Sequence, residues 1–387
     1  MKICGIVAEY NPFHNGHAHQ VERTRAPEGG EASHVVAVMS GSFVQRGEPA
    51  LLPKADRVRM ALAGGADLVL ELPYPFSCAS APWFARAGVE ILDRLGVCDG
   101  ISFGCERENA ETLQLAAQRI YTPSFLTALE DTRRKERSRG IPALRAKLYE
   151  EMYGESLPET PNDMLAVEYF AALAQRGSAL RVYPVHRSGD YHREHLDGAL
   201  PSASAVRAAV LSGQREAAAA AMPRESAACI LDAPRAQMQS GERAILWHFA
   251  NADAAQIDAL CDIPAGCGAR MVKAAREADN LTQFLQKIGS KQYTAARTRR
   301  MMWNAFFGVT PERMESGCEY TAVLGANARG RALLREIRAH AQIPVYDRPA
   351  AGEGDLRDLG RKADGFYALL LGETVSAQYA RTAFMAP

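Results

Sequence analysis

Short apolar runs alternate with helical patterns in the first half of the chain. The predicted strands cover residues 3–7, 35–39, 68–71, 100–103 and 181–185. The predicted helices cover residues 17–25, 54–63, 81–95 and 165–174. Strands of this length that alternate with helices indicate βαβ units and a parallel, doubly wound sheet. Ligands of such sheets bind beyond the carboxyl ends of the strands, where Glu9, Ser40, Glu71 and Gly104 would lie.

The pattern changes after an alanine-rich run at residues 217–223, which ends in a proline and closes a helix. Beyond it, leucine and aromatic residues recur at helical spacing, and one late strand is predicted at residues 343–346. We therefore predict an α/β fold. A Rossmann-like parallel-sheet domain (residues 1–222) is followed by a mainly α-helical C-terminal domain (residues 223–387).

The amino-acid composition limits the classes of protein to which this chain can belong. The 387 residues carry 45 basic and 45 acidic side chains, which excludes a uniformly basic coat and leaves room for local basic patches. The eight cysteines form no CxxC pair, so we expect buried thiols and no structural zinc site. No signal peptide is visible, and no run approaches the roughly 20 apolar residues of a membrane helix. We expect a cytoplasmic protein with no membrane contact.

Two histidines, His14 and His17, follow the first predicted strand at a spacing that places them on one face of a helix start. Gly16 between them lets the backbone approach a ligand closely. Free N–H groups and the positive end of the helix dipole favour phosphate there. The imidazoles can donate hydrogen bonds to an α-phosphate as charge builds up in nucleotidyl transfer. Two surface histidines beside a glycine also arise by chance, but the position after the first strand favours the functional interpretation.

A second motif lies near the end of the sheet domain. Ser202 or Ser204 is a candidate cap of a helix that carries Arg207. Such a turn offers hydroxyls, N–H groups and a guanidinium to leaving phosphates. The alternative is a capped surface helix with a solvated arginine.

Together these motifs resemble the HIGH nucleotidyltransferase superfamily, whose second motif is of the type ISSTxxR. Longer runs resemble the bacterial tRNA(Met) cytidine acetate ligases. The matching runs are residues 7–17, 38–49, 65–73, 103–106, 161–166, 186–187, 202–207, 293–300 and 323–327. The resemblance covers most of the chain and implies a Rossmann-like nucleotidyltransferase fold of the HUP type.

Members of that family activate acetate with ATP as acetyl-adenylate and form N4-acetylcytidine at the wobble position of elongator tRNA(Met), releasing AMP and pyrophosphate. The resemblance therefore implies ATP, acetate and elongator tRNA(Met) as ligands, with Mg²⁺ accompanying ATP. The residues implied or predicted to bind ATP are Val7, Ala8, Glu9, Tyr10, Asn11, Pro12, Phe13, His14, Asn15, Gly16, His17, Ala18, His19, Gln20, Gly104, Asn162, Arg187, Ser202 and Ser204. Two positions differ from the family pattern: Cys105 replaces a small hydroxyl residue, and Ser204 replaces the more usual threonine.

The predicted catalytic residues are His14, His17, Lys54 and Arg207. Lys54 stands at a probable helix start and could reach phosphate or acetate, but an ordinary exposed lysine explains it equally well. Residues 41–47 are flanked by glycines and could form a lid over the site.

Two basic segments are candidates for contact with tRNA. The first is residues 133–147, and the second is a helix that carries Arg297, Arg299 and Arg300, with Tyr293 one turn earlier. Basic and aromatic side chains together are typical of phosphate contact and base stacking. A solvated charged face is the alternative for either segment.

Two other functions share the same ATP motifs. One is a small-molecule adenylyltransferase, which would leave the helical half without a purpose. The other is a non-catalytic tRNA-binding protein that keeps an ATP pocket. Pyrophosphate release distinguishes them: release that needs acetate indicates the ligase, release that needs a mononucleotide indicates the adenylyltransferase, and no release indicates the binding protein.

Overall fold

A computed structural model describes residues 1–27, 30–107, 109–136, 139–186, 202–348, 352–378 and 382–386. Arg187, one of the predicted ATP contacts, lies outside these ranges. The strands are β1 (Ile3–Ala8), β2 (His34–Ser40), β3 (Phe43–Val44), β4 (Glu48–Pro49), β5 (Leu68–Leu72), β6 (Gly100–Cys105), β7 (Arg181–His186), β8 (Thr321–Ala326), β9 (Val345–Tyr346) and β10 (Phe384–Met385).

Helices cover most of the remaining described chain. Those up to the end of the predicted first domain are α1 (Asn15–Arg25), α2 (Lys54–Ala63), α3 (Ala81–Arg94), α4 (Ala110–Ile120), α5 (Pro123–Lys135), α6 (Ile141–Tyr153), α7 (Pro161–Arg176), α8 (Ala203–Leu211) and α9 (Arg215–Ala220). The later ones are α10 (Arg224–Asp232), α11 (Gln239–Asn251), α12 (Ala254–Asp258), α13 (Cys267–Glu277), α14 (Leu281–Ile288), α15 (Ala295–Phe307), α16 (Pro311–Glu315), α17 (Ala328–His340) and α18 (Asp355–Leu370).

The main sheet has the strand order β10-β8-β5-β2-β1-β6-β7, with β9 paired to β8. The five strands predicted in the first half are all present and run parallel. The predicted α/β fold with a Rossmann-like sheet is therefore confirmed. The prediction missed β8, which pairs antiparallel with β5, whereas the late strand predicted at residues 343–346 is present as β9.

The C-terminal part is mainly helical, but it also extends the sheet of the N-terminal part. β8 and β10 lie on the open side of β5, so residues from both predicted domains share one hydrogen-bonded sheet. The boundary at residues 222 and 223 stays a prediction.

Both faces of the sheet are covered, as the near-continuous apolar strands require. Along β2, Val36 and Val38 pack into a core that also holds Trp303 of α15. Ala37 and Met39 point to the opposite face, into a second core with α2 and α8–α10. The sheet is thus held rigidly between two layers of helices, and its strand ends provide a fixed edge.

Two expectations from composition can be compared with the structure. All eight cysteines are free thiols; five are buried, and Cys98, Cys229 and Cys261 are half-buried. Within the described ranges, no helix is long and apolar enough to cross a membrane.

Candidate active site

A cavity opens at the carboxyl ends of β1 and β6. These strands are neighbours, and the chain leaves them in opposite directions, through β2 to β5 on one side and through β7 on the other. This is the switch point at which doubly wound sheets bind ligands. The described lining residues are Val7, Ala8, Glu9, Tyr10, Asn11, His14, His17, Gln20, Gln45, Arg46, Phe84, Phe103, Gly104, Pro161, Asn162, Leu165, Tyr169, Ser202, Ala203, Ser204 and Arg207.

Most of the predicted ATP-binding residues that the structure describes line this cavity. The others are Pro12, Phe13, Asn15, Gly16, Ala18 and His19, which belong to the turn and helix behind it. Phe13 is fully buried beneath the turn in the second core, beside Met60 and Leu62 of α2. These residues shape the segment that carries the histidines.

The histidine turn, residues 9–17, is organised by the imidazoles themselves. His14 caps α1, and its Nδ1 accepts a hydrogen bond from the Gly16 amide at 3.0 Å. The Nδ1 of His17 accepts one in return from the His14 amide at 3.3 Å. Because each Nδ1 is an acceptor, the proton of each neutral ring lies on Nε2. The two rings stack with centroids 3.9 Å apart, which holds both side chains on one face of the helix start.

Arg207 comes to the same cavity from α8. Its guanidinium donates to the Asn11 carbonyl at 2.8 Å and to the Ser204 hydroxyl at 3.3 Å. Ser202 caps α8 by accepting from the Ala205 amide at 3.1 Å. The structure thus brings the second motif against the histidine turn, and Arg207 keeps 11% of its side chain exposed toward the cavity.

Arg57, on α2, is a supporting residue that the sequence did not reveal. Its fully buried guanidinium donates to the carbonyls of Glu9 and Ser40, both at 2.9 Å. It also donates to the Gly41 carbonyl at 2.6 Å and to the Leu52 carbonyl at 3.1 Å. One side chain therefore ties together the segments that leave the ends of β1 and β2.

The wall opposite the histidine turn belongs to β6 and α7. Phe103 and Tyr169 stack with ring centroids 5.3 Å apart, giving an apolar surface suited to a nucleobase. Beside them, the Asn162 amide donates to the Glu106 carboxylate. Asp163 in turn accepts from the Glu106 amide at 2.8 Å. This reciprocal pair of contacts fixes the start of α7 against the end of β6.

The rim of the cavity is the rim loop, residues 41–49, in which β3 and β4 form a short hairpin. Gln45 and Arg46 line the cavity from this loop. The backbone amide of Gln45 donates to Glu9 Oε1 at 2.8 Å, which joins the loop to the histidine turn. The sequence indicated a lid here but did not identify these two residues.

Helix α15 holds the rim loop from the other side. Arg300 donates to the Gln45 carbonyl at 2.9 Å, Arg299 donates to the Arg46 carbonyl at 3.0 Å, and the Trp303 indole donates to the Gly47 carbonyl at 2.9 Å. Arg299 also pairs with Glu48 at 3.1 Å. A Cβ on Gly47 would lie 2.7 Å from the Arg299 Cβ and 2.9 Å from the Arg300 nitrogen, so only glycine allows this approach.

These contacts change the interpretation of the second basic segment. Arg299 and Arg300 were predicted as tRNA contacts, but the structure turns both guanidinium groups toward the rim loop. Burial also lowers the pKa of Arg300. Arg297 instead pairs with Asp262 at 2.7 Å and covers the Tyr293 ring at 4.9 Å from its centroid.

Lys54 does not reach the cavity. Its buried ammonium lies 2.8 Å from Glu71 Oε1 and 2.6 Å from Asp364 Oδ2. Asp364 also accepts a 2.6 Å hydrogen bond from Ser42 of the rim loop. Lys54 thus forms buried ion pairs in the core, and Asp364 connects these to the rim loop through Ser42. This position does not support the predicted catalytic role of Lys54.

Comparison with known proteins agrees with this geometry. The family model described as "HIGH Nucleotidyl Transferase" matches residues 1–382. A tRNA(Met) cytidine acetate ligase of Syntrophotalea carbinolica is 35% identical over 89% of this chain and 84% of its own. One from Listeria monocytogenes is 31% identical over 96% of both chains. The crystal structure of Thermotoga maritima TmcAL bound with alpha-thio ATP is similar with a TM-score of 0.87, at 27% identity over the whole of both chains.

The family model matches nearly the full length of the chain, and the cavity is lined by both sequence motifs, the histidine turn and the Ser202–Arg207 turn. The chain belongs to the HIGH nucleotidyl transferase family and, within it, to the family of the tRNA(Met) cytidine acetate ligases.

Proposed function

We propose that this chain is an ATP-dependent ligase that activates acetate as acetyl-adenylate and transfers the acetyl group to the wobble cytidine of elongator tRNA(Met). The observation that carries the proposal is the meeting of the His14–His17 pair with Arg207 at the β1/β6 switch point. Relatives with the name of this activity match 89–96% of the chain.

In the first step an acetate oxygen attacks the α-phosphorus of ATP, the bond to the bridging oxygen breaks, and pyrophosphate leaves. The step needs stabilisation of charge on phosphate oxygens more than proton transfer. His14 and His17 donate hydrogen bonds from Nε2 to the α-phosphate, and the Arg207 guanidinium stabilises the charge of the leaving phosphates.

Arg46 is a further cation for this step. It lines the cavity, and the described part of the chain offers its guanidinium no hydrogen bond or ion pair. The adenine ring packs against Phe103 and Tyr169, with Asn162 at its edge.

Magnesium is proposed as a companion of the triphosphate. Mg²⁺ in such sites is commonly held by substrate phosphates, waters and one or two carboxylates. Glu9 is the one carboxylate in the described cavity lining, and burial raises its pKa although Arg207 lies nearby. The residues fit an ion that arrives with ATP: Glu9 would supply an oxygen ligand, and the ion would neutralise charge on the pyrophosphate.

In the second step the exocyclic amine of cytidine attacks the acetyl carbonyl, the carbonyl carbon–phosphate oxygen bond breaks, AMP leaves, and the amine loses a proton. Water must be kept from the adenylate until the RNA arrives. The rim loop is placed to do this because Glu9 holds it on one side and α15 on the other.

Two measurements test the proposal. Exchange of pyrophosphate into ATP should require acetate, and nucleoside mass analysis of elongator tRNA(Met) after reaction should show N4-acetylcytidine. Exchange that needs a mononucleotide instead would indicate a small-molecule adenylyltransferase. Absence of N4-acetylcytidine from tRNA treated with an exchange-active enzyme would remove the proposed acceptor.

A further inference from the structure

A second cleft lies outside the nucleotide cavity, where the end of α5 and residues 139–141 face the start of α15. Its described lining residues are Glu130, Arg133, Arg134, Arg139, Gly140, Ile141, Pro264, Gln292, Tyr293 and Arg297. Four guanidinium groups and one carboxylate therefore line it, on a chain whose net charge is zero. The two basic segments, represented by Arg139 and Arg297 at 158 positions apart (297 − 139), meet in this one cleft.

Three of these arginines form solvent-exposed ion pairs with carboxylates that a phosphate can displace. Arg133 and Arg134 share Glu130 at 3.6 and 3.5 Å, and Arg139 pairs with Glu136 at 3.3 Å. The three guanidinium side chains are 55–69% exposed, and exposed ion pairs contribute little free energy. A phosphate can therefore replace the carboxylates and accept paired hydrogen bonds from each guanidinium group.

Tyr293 holds two arginine side chains beside the cleft. The guanidinium groups of Arg297 and Arg270 lie 4.9 and 5.8 Å from its ring centroid. The ring therefore orients arginines, and the cleft presents mainly guanidinium groups, which bind phosphate without carrying sequence information. This chemistry suits a sugar–phosphate backbone.

The cleft is adjacent to the rim of the nucleotide cavity through one helix. Arg297 in the cleft and Arg300 on the Gln45 carbonyl are three residues apart on α15, a rise of about 4.5 Å. An RNA whose phosphates occupy the cleft would thus place neighbouring nucleotides at the rim loop.

We propose that this cleft binds the phosphodiester backbone of the RNA substrate beside the nucleotide that enters the cavity. The inference rests on the proposed function for the identity of the RNA. It also divides the second basic segment by role: Arg297 contacts RNA, whereas Arg299 and Arg300 position the rim loop.

The test is the affinity of the full-length protein for elongator tRNA(Met) as a function of salt. The double variant R134E/R139E should bind roughly tenfold more weakly, and its log–log salt slope should fall by about 0.7–0.9 for each phosphate that the cleft no longer neutralises. R297Q should weaken binding in the same direction. The double variant R243E/R335E, at exposed arginines of α11 and α17 outside the cleft lining, is the control with the same change in net charge. Thermal unfolding of every variant shows whether the fold is retained.

Each outcome has a distinct meaning. If the parent binds tRNA and the folded cleft variants bind it with an unchanged salt slope, the cleft proposal is overturned and the proposed function is not. If the parent fails to bind tRNA, both are overturned. A parallel titration with inorganic tripolyphosphate separates a free anion from RNA: tight binding that the cleft variants abolish, with tRNA affinity unchanged, also overturns the proposal.

Discussion

The two sides of the nucleotide cavity are built over very different distances in sequence. In the histidine turn, His14 bonds to residues only two and three positions away. In the rim loop, Arg46 and Gly47 are held by Arg299 and Trp303, which lie 253 and 256 positions away. The histidine turn is therefore organised locally, and Arg207 joins it from 196 positions away within the predicted first domain. The water-excluding side is held only after the chain has returned from its C-terminal half. Chemistry and control of access can then be disturbed separately.

The largest expected effect is on stability, at Lys54. Lys54→Met leaves Glu71 and Asp364 buried without their shared cation, so we expect the free energy of unfolding to fall by about 3–5 kcal/mol. Urea unfolding measures it, and Lys362→Met on the exposed side of α18 is the control. A stable variant that has lost acetate-dependent exchange would give Lys54 a part in the chemistry and contradict the division between the two sides.

The same residue predicts a pH dependence. Burial lowers the pKa of Lys54, but Asp364 and Glu71 together raise it above 10.5. Stability from a cation with a raised pKa is complete below its unfolded value and is lost as pH rises through the folded value. The difference in unfolding free energy between the parent and Lys54→Met should therefore be constant from the pH at which Glu71 and Asp364 are ionised up to pH 10.5, and shrink above it. A constant difference at higher pH would contradict this origin.

The next effect is on chemistry, at the histidine turn. His14→Asn keeps a side chain that can cap α1 but removes the Nε2 donor, so stability should change little. Loss of one donor to a developing phosphate charge should slow acetate-dependent exchange by roughly 10²–10³-fold. His340→Asn on α17 is the control. Retained exchange in His14→Asn would show that the backbone, and not the imidazole, serves the phosphate.

A smaller effect is expected at the rim. Gly47→Ala forces the loop away from α15 and should reduce tRNA acetylation roughly tenfold to a hundredfold. Gly154→Ala is matched in backbone, with φ +69° against +71°, but no atom lies within 4 Å of its added Cβ. Both variants share the free-energy cost of the positive φ, so any extra loss of unfolding free energy in Gly47→Ala comes from its contact with α15. Equal activity of the two variants would mean that the hold of α15 on the loop is not required.

The smallest effect is expected at Cys105, where the sequence differs from the family pattern. Burial raises the pKa of this thiol to about 11, and its Sγ donates to the Arg107 carbonyl at 3.4 Å. A serine hydroxyl can donate in the same way, so Cys105→Ser should change the exchange rate by no more than about twofold. A large reduction would assign the thiol a role in the reaction.

The same difference in sequence distance explains what the sequence could predict. The sequence placed His14 and Ser202 correctly at two helix starts because spacing and capping are local properties that survive without knowledge of the fold. The roles of His14, His17, Ser202 and Arg207 stay predictions. The helix start at Lys54 was correctly placed, but its partner Asp364 lies 310 positions away and cannot be inferred from the neighbourhood of the lysine.

The residues that were missed depend on tertiary contacts. Arg57 resembles any helical arginine until four carbonyls converge on it. The tRNA contact of Arg299 and Arg300 stays a prediction, but composition revealed only their charge and not the backbone carbonyls to which they donate. β8 was missed because a single apolar run among helices carries no periodic signal that separates it from a buried helical turn.

The antiparallel pairing of β8 with β5 has a consequence for the order in which the enzyme becomes active during synthesis. A nascent chain that has released only its first 222 residues still exposes the edge of β5, with Leu68, Val69 and Leu70 unpaired on that side. Trp303 and the rest of α15 follow later in the chain, so the rim loop gains these contacts only after they have been synthesised. On the proposed function, the rim loop can shield a reactive mixed anhydride from water only after translation has delivered α15.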